Sequence, residues 1–365
     1  MSAGKPRLEE LVAEAQRMLA ICNACRYCEG YCAVFPALER RLEFNEGDVH
    51  YLANLCHNCG ACLYACQYAP PHEFNLNFPK MLAQVRKETY SKYAWPSFLG
   101  AAFERNGAVV AISTALAIAL LFIITAILGD PVAFFAAHPD SEGSFYAVMP
   151  HGTMVTIFGA VFLFAVASLA ISLVTFWIDG GETLIDLAAP LPVLSAKADA
   201  AVLRNLDDGR RKTFHHFTFY GFMLCFASTA VATIYHYIFG IHAPYPFWSL
   251  PVLLGTLGGI GLVVGTLGLI RCGLRRDPDL MDRTQTGMAV GFLVLLLLLG
   301  ATGLALLAFR ETRAMGTLLA LHLGVVLAFF VTMPYGKFVH GLYRFAALVR
   351  FHLERRRPLP EIGSE

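Results

Sequence analysis

The sequence predicts a mostly α-helical protein, a small polar head joined to a bundle of six transmembrane helices. Three observations carry that expectation. Of the 365 residues, 56% are hydrophobic and only 15% are charged, whereas a soluble domain carries about 25% charged residues. The apolar residues concentrate after residue 105, and the mean hydropathy of the whole chain is +0.55. Eight of the ten cysteines fall between Cys22 and Cys66, inside the polar part.

The head begins with an amphipathic helix. Leu8, Leu11, Val12, Ala15, Met18 and Leu19 follow helical spacing, with Glu9, Glu10, Glu14 and Arg17 on the opposite face. This first stretch has no apolar export-signal core. The head is therefore expected in the reducing cytoplasm, where clustered cysteines are metal ligands more often than disulfides.

The cysteines form two runs of one pattern, Cys22-x₂-Cys25-x₂-Cys28-x₃-Cys32 and Cys56-x₂-Cys59-x₂-Cys62-x₃-Cys66. C-x₂-C-x₂-C spacing lets three thiolates converge on three corners of one cubane, while the fourth cysteine of each run ligates the other cluster. By that rule Cys22, Cys25, Cys28 and Cys66 hold one [4Fe–4S] cluster, and Cys32, Cys56, Cys59 and Cys62 hold a second. The head is thus expected to be a helical, ferredoxin-like domain with two [4Fe–4S] clusters. A pair of Cys₄ zinc sites is the alternative, but zinc ribbons use separated C-x₂-C pairs. The proline that often follows the fourth cysteine is missing, with Ala33 and Gln67 in those places. Cys225 and Cys272 stand alone and read as packing residues. His57 and His72 are either modulators of a cluster or plain surface histidines.

A mixed segment from Pro70 to Pro96, amphipathic around Met81, Leu82 and Val85, connects the head to the membrane. Six apolar segments follow, near 107–128, 150–177, 215–240, 248–271, 286–309 and 315–345, each long enough to cross roughly 30 Å of hydrocarbon. The segments around 197–212, 271–283 and 344–357 are rich in Lys and Arg. Those around 129–149 and 241–247 contain neither, and the turn at 310–314 has Arg310 and Arg313. Basic loops face the cytoplasm, so the N- and C-termini are expected on the cytoplasmic side of a bacterial inner membrane. The expected domains are an iron–sulfur head with its connector (1–96), a six-span domain (97–345) and a basic tail (346–365). A net charge of +1 with no basic stripe argues against nucleic acid as a partner.

Ionisable groups inside spans are expensive in lipid and mark function. Six histidines lie within or at the ends of the spans: His151, His215, His216, His236, His322 and His340. His322 and His340 are 18 residues apart on the expected last helix, five turns on one face, separated by about 27 Å. That suits axial ligation of two b-type haems, one near each surface. On the third span, His215 and His236 lie within about 60° of each other. The expected pairs are His340 with His215, or its neighbour His216, on the inner side and His322 with His236 on the outer side. His151 is the rival outer ligand. The cations beside them, Arg210, Arg211, Lys212 and Lys337, either meet haem propionates or a quinone carbonyl or simply follow the inside-positive distribution.

With both parts placed, the chain resembles the citrate/tricarballylate utilisation protein B family along essentially its full length. The resemblance is carried by the two cysteine runs, by Cys66-Gln-Tyr-Ala-Pro-Pro-His72-Glu-Phe and by His215-His216-Phe-Thr-Phe-Tyr-Gly-Phe-Met-Leu-Cys225. The last segment, with His322 and Met333-Pro-Tyr-Gly-Lys-Phe-Val-His340, is similar to the haem-bearing helix of the nitrate reductase gamma subunit group. The family resemblance implies an electron carrier that re-oxidises a soluble FAD-dependent tricarballylate dehydrogenase and delivers electrons to membrane quinone. The sequence has no G-x-G-x-x-G flavin fingerprint, so hydride chemistry is expected to belong to that partner. Two alternatives are a quinol-oxidising subunit feeding a soluble reductase and a redox-sensing membrane protein.

Overall fold

The computed structural model describes residues 8–138, 143–204, 206 and 208–358, and among them only helices and connecting turns occur. The head comprises α1 (Leu8–Cys25), α2 (Val34–Leu38), α3 (Glu46–Leu55), α4 (Ala61–Tyr64) and α5 (Phe78–Lys92). Leu11, Val12, Ala15, Met18 and Leu19 of α1 are buried, which is the stripe that the helical spacing marks. Asn45 and Asn77 cap α3 and α5 by accepting from the backbone N–H of Asp48 and Lys80, satisfying donors that the first turn leaves open. The α5 helix turns Leu82, Ala83 and Val85 against α1 and α3, so the connector belongs to the head's own core.

A short 3₁₀ segment (Ser97–Phe103) leads into the membrane part. It consists of α6 (Asn106–Leu128), α7 (Pro131–Phe135), α8 (Ser144–Val148), α9 (His151–Asp179), α10 (Leu184–Leu187), α11 (Pro190–Ala201), α12 (Gly209–Phe239), α13 (Leu250–Leu274), α14 (Thr286–Phe309), α15 (Met315–Thr332) and α16 (Val339–Glu354). Six of the helices are long and apolar enough to cross a membrane: α6, α9, α12, α13, α14 and α15. Helices α6, α14 and α15 pack together, α9 lies on α15, α13 on α14, and α12 on α13. The α12/α13 seam brings backbones close, since a Cβ on Gly221 would sit 2.7 Å from the Leu262 nitrogen and one on Gly268 would overlap the Phe214 ring. Small residues allow such approach where lipid gives no hydrophobic drive between helices. A Cβ on Gly258 would fall 2.7 Å from Cys225 Sγ, so that thiol is part of the seam.

The last expected span requires correction. Residues 315–345 are not one helix. The chain leaves α15 through a 3₁₀ turn at Met333–Tyr335 and an extended Gly336 (φ −138°, ψ −170°) before α16 begins. Pro334 has no N–H to continue the ladder, and the chain runs extended at Gly336. Helix α16 is amphipathic and packs on α3, α9 and α11. His322 and His340 therefore sit on different helices, and the five-turn register between them does not exist.

Helix α16 ties the head to the bundle through buried charges. Arg350 meets Asp48 at 2.9 Å, Glu354 at 3.0 Å and Glu182 at 3.6 Å, and Arg41 meets Asp48 at 2.8 Å as well as Glu354. Both guanidiniums lie over the Tyr51 ring, whose hydroxyl donates to Glu354 at 3.1 Å. Arg357 closes the network on Glu182 at 2.8 Å.

Candidate metal centres

The fold sorts the eight clustered cysteines into two groups of four. Cys22, Cys25, Cys28 and Cys66 line one cavity together with Tyr27, Phe35, Gln67, Tyr68 and Leu76. Cys32, Cys56, Cys59 and Cys62 lie near one another, with Cys56 and Cys59 adding to the charging cost of both Cys32 and Cys62. Burial is the main cause that pushes Cys22 and Cys32 up to about 12, with neighbouring thiols adding to it. Without a positive partner these sulfurs stay protonated, and as thiolates they require one. Local geometry shapes both loops. Arg26 and Asn58 adopt left-handed backbone (φ 54° and 52°), as does Gly60 (φ 95°). The turn at Asn58 aims its N–H at Cys56 Sγ, 3.2 Å away, the kind of bond that tunes a cluster.

The second run lies under a canopy of cations from four separate elements. Arg211 at the start of α12 donates to the carbonyls of His57 (3.1 Å) and Asn58 (3.3 Å), and Arg276 after α13 donates to Asn58. Arg86 of α5 donates to the carbonyls of Ala53 and Cys56, and Arg344 of α16 to Leu55 and the His57 ring. Among the described residues, no carboxylate forms an ion pair with these four guanidiniums. Burial, then the neighbouring arginines, lowers Arg276 to about 10. Burial also lowers Arg344 to about 10, against the pull of the Cys56 and Cys32 sulfurs. Lys337 falls to about 7 for the same reasons, burial first and then Arg86, Arg211 and Arg276. His57 is wedged between Arg344 and the Arg204 carbonyl, and burial with these charges keeps it neutral.

One turn into α12 from Arg211, the His215 and His340 rings face each other with centroids 6.2 Å apart and planes at 82°. Roughly 3 Å from each centroid to a shared metal is what a metal–nitrogen bond of about 2 Å plus the ring's radius requires. His340 directs Nδ1 at the Lys337 carbonyl, which fixes that nitrogen as donor and frees Nε2, the orientation of a ligating imidazole. His215 Nδ1 has no hydrogen-bond partner. His216 lies against Tyr220, 5.8 Å away.

The other histidines pair differently from expectation. His322 rests on α14, its Nδ1 2.9 Å from Thr302 Oγ1 and its ring over Gly303, and no ring contact joins it to His236. His236 stacks on His151 at 3.9 Å with planes 19° apart, beside His242 and Tyr146. That face-to-face separation leaves no room for an iron between the two rings. Of the sequence-derived pairs, the structure brings together His215 with His340 and leaves His322 apart from His236, which stacks instead on His151, its rival as outer ligand.

Comparison with known proteins fits this geometry. The model of the citrate utilization protein B family matches residues 104–361, and the model of that family's Fer4-like domain matches residues 15–92. The chain is 50% identical over 366 residues to the citrate utilization protein B of Escherichia coli, covering 96% of this chain and 94% of that protein. The chain belongs to the citrate utilization protein B family. No solved structure matches it.

Within this family frame the donor sets suit their groups. Among the described residues, no three His, Cys, Asp or Glu side chains converge as ligands of a single metal ion. A cubane takes four thiolates, one on each iron, and four cysteines line the first cavity. Sequence reasoning placed the cysteines and the His215–His340 contact, and it missed Arg86 entirely. It counted Arg276 and Arg344 only within basic segments, and Arg211 as a basic-segment residue or a partner of haem propionates or a quinone carbonyl. Their positions in basic segments were visible, but their convergence on residues 53–58 was not.

Proposed function

We propose that this chain is a membrane electron carrier that re-oxidises a soluble FAD-dependent dehydrogenase and passes the electrons to quinone. The observation that carries the reading is a line of sites: one cysteine quartet opens on the head's surface, the other lies beside the bundle, and His215–His340 follows it. Cys22, Cys25, Cys28 and Cys66 would hold the outer [4Fe–4S] cluster, Cys32, Cys56, Cys59 and Cys62 the inner one, and His215 with His340 a b-type haem. Bound there, these groups supply one-electron storage. The chain's own residues set their spacing, exclude water and balance their charge.

The relative's name ties it to citrate utilization, and we assign tricarballylate dehydrogenase as the flavoprotein on the substrate side. The basic segments put the head and both termini on the cytoplasmic side of a bacterial inner membrane, where a soluble dehydrogenase has access. We read residues 1–96 as the electron-entry domain and the six spans as the quinone-facing one.

The test is spectroscopic. Purified full-length protein reduced with dithionite is expected to show two cluster signals in low-temperature EPR and b-type haem absorption. Reduced flavoprotein with a quinone analogue should then cycle both. A Cys59→Ala protein that kept both cluster signals would sink the ligand scheme. A His340→Ala protein with unchanged haem bands would remove His340 from the haem site.

A further inference from the structure

The two cysteine quartets share a ligand pattern but not an electrostatic setting. The cavity of Cys22, Cys25, Cys28 and Cys66 is walled by Tyr27, Phe35, Gln67, Tyr68 and Leu76, with no ionisable cation. Around the other quartet, Arg86, Arg211, Arg276 and Arg344 are bonded to backbone carbonyls within residues 53–58, and Lys337 lies behind them. Their facing carboxylates are Asp208, Asp282 and Asp277, the last accepting from Tyr64 Oη at 2.8 Å. Asp208 caps α12 at Arg211 N (3.0 Å), and Asp282 accepts from Thr284 and Gln285. Four guanidiniums, with Lys337 behind them, against three carboxylates engaged in their own turns leave this pocket positive.

Reduction adds one negative charge to a cluster. Burial opposes that charge, yet the low dielectric that does so also strengthens every fixed cation nearby. Net charge and hydrogen bonding are among the levers that set cluster potentials.

We infer that Arg86, Arg211, Arg276 and Arg344 hold the bundle-side cluster at a higher reduction potential than the exposed cluster, so that the head conducts electrons inward. The inference rests on the two-cluster reading above and gives its direction a physical cause. Each transfer moves one electron from the exposed cluster, which is oxidised, to the bundle-side cluster, which is reduced, with no bond made or broken. Two such transfers carry the pair delivered by a reduced flavin, with quinone as the final acceptor. The four arginines are positioning residues, acting through the carbonyls and sulfurs they face. A quinol-oxidising subunit feeding a soluble reductase would require the opposite slope.

The experiment is an EPR-monitored redox titration of the full-length protein, followed by the same titration of Arg276→Gln, Arg344→Gln and Arg276→Lys. Unsubstituted protein should titrate as two separated clusters. Each Gln variant should lower only the higher of the two potentials, by a tenfold change in the oxidised-to-reduced ratio at fixed potential (about 59 mV for one electron). Arg276→Lys should restore most of it. Equal potentials in the unsubstituted protein, an unchanged Gln variant, a shift in the lower-potential cluster or equal shifts in both would each overturn the inference. Absence of both cluster signals from the unsubstituted protein would instead overturn the two-cluster reading.

Discussion

Two sets of arginines join the head to the membrane bundle, and they differ in what balances them. In one, Arg41, Arg350 and Arg357 meet Asp48, Glu354 and Glu182, with distances of 2.8–3.0 Å for the best pairs. In the other, Arg86, Arg211, Arg276 and Arg344 meet backbone carbonyls and the His57 ring. The first set is neutral within the chain and clamps α16 to the head. The second is balanced only when anionic sulfur sits beneath it. Similar side chains at similar depth thus serve as a joint in one place and as a charged lining in the other, and the carboxylates decide which.

The largest way to break this comparison is to unbalance the clamp. Arg350→Ala leaves Asp48, Glu182 and Glu354 facing one another with one cation fewer. Removing one partner of a buried ion network costs about 3–5 kcal/mol. Thermal unfolding of the purified protein should register that loss, while the spacing of the two cluster potentials stays as it was. A variant that moved the potentials and spared stability would erase the distinction between the two sets.

The joint also carries a pH dependence. His50 is 1% exposed, with Tyr93 Oη 2.6 Å from Nδ1 and Glu46, Asp179 and Lys92 around it. Burial, then Lys92, lowers it from 6.5 to about 4. The unfolded chain takes up this proton near pH 6.5 and the folded chain only near pH 4, so stability falls as pH drops through that window and is unaffected above it. The loss is on the order of 3 kcal/mol. His50→Gln should flatten the slope of stability against pH between 6.5 and 4.

A smaller effect is expected at the α12/α13 seam. Gly268→Ala forces a methyl into the Phe214 ring, and overpacking of this kind costs about 1–3 kcal/mol. Because α12 carries both Arg211 and His215, the same change should perturb haem absorption before it perturbs the clusters. Smallest of all is the exposed pair of Arg17 and Glu14 at 2.6 Å. Its removal is worth about 0–1 kcal/mol, and Arg17→Ala should leave stability and potentials alike near their original values.

The parts legible in the sequence are those written in short-range spacing. Two C-x₂-C-x₂-C-x₃-C runs mark the Fer4-like head, and runs of twenty apolar residues mark the spans. The first five expected spans begin and end within a few residues of α6, α9, α12, α13 and α14, apart from α12, which starts at Gly209 instead of 215. Its cap, Asp208, was on view, but the charged turn Arg210-Arg211-Lys212 reads as a loop until Arg211 is seen facing the head. The last span failed for a local reason that was also on view. Pro334 and Gly336 punctuate the pattern, and hydrophobicity alone carried the reading past them. The arginine lining was not legible, because Arg86, Arg211, Arg276 and Arg344 come from four elements and meet only in the fold. The outer histidines failed for the same reason, since their partners depend on how α9 leans toward the end of α12.

The break at Met333–Gly336 also sets an order of assembly. Asp48 and Arg350 lie 302 residues apart, and at about 5–20 residues per second of synthesis the first is made roughly 15–60 s before the second. During that interval Asp48 and Tyr51 have Arg41 as their partner within the head and lack Arg350 and Glu354. Helix α16 arrives last, bringing Arg344 to the second cysteine run and Arg350 to Asp48 in the same stroke. Arg344 and Arg350 share one helix, so the charged lining and the clamp are completed together, after α15 has been made.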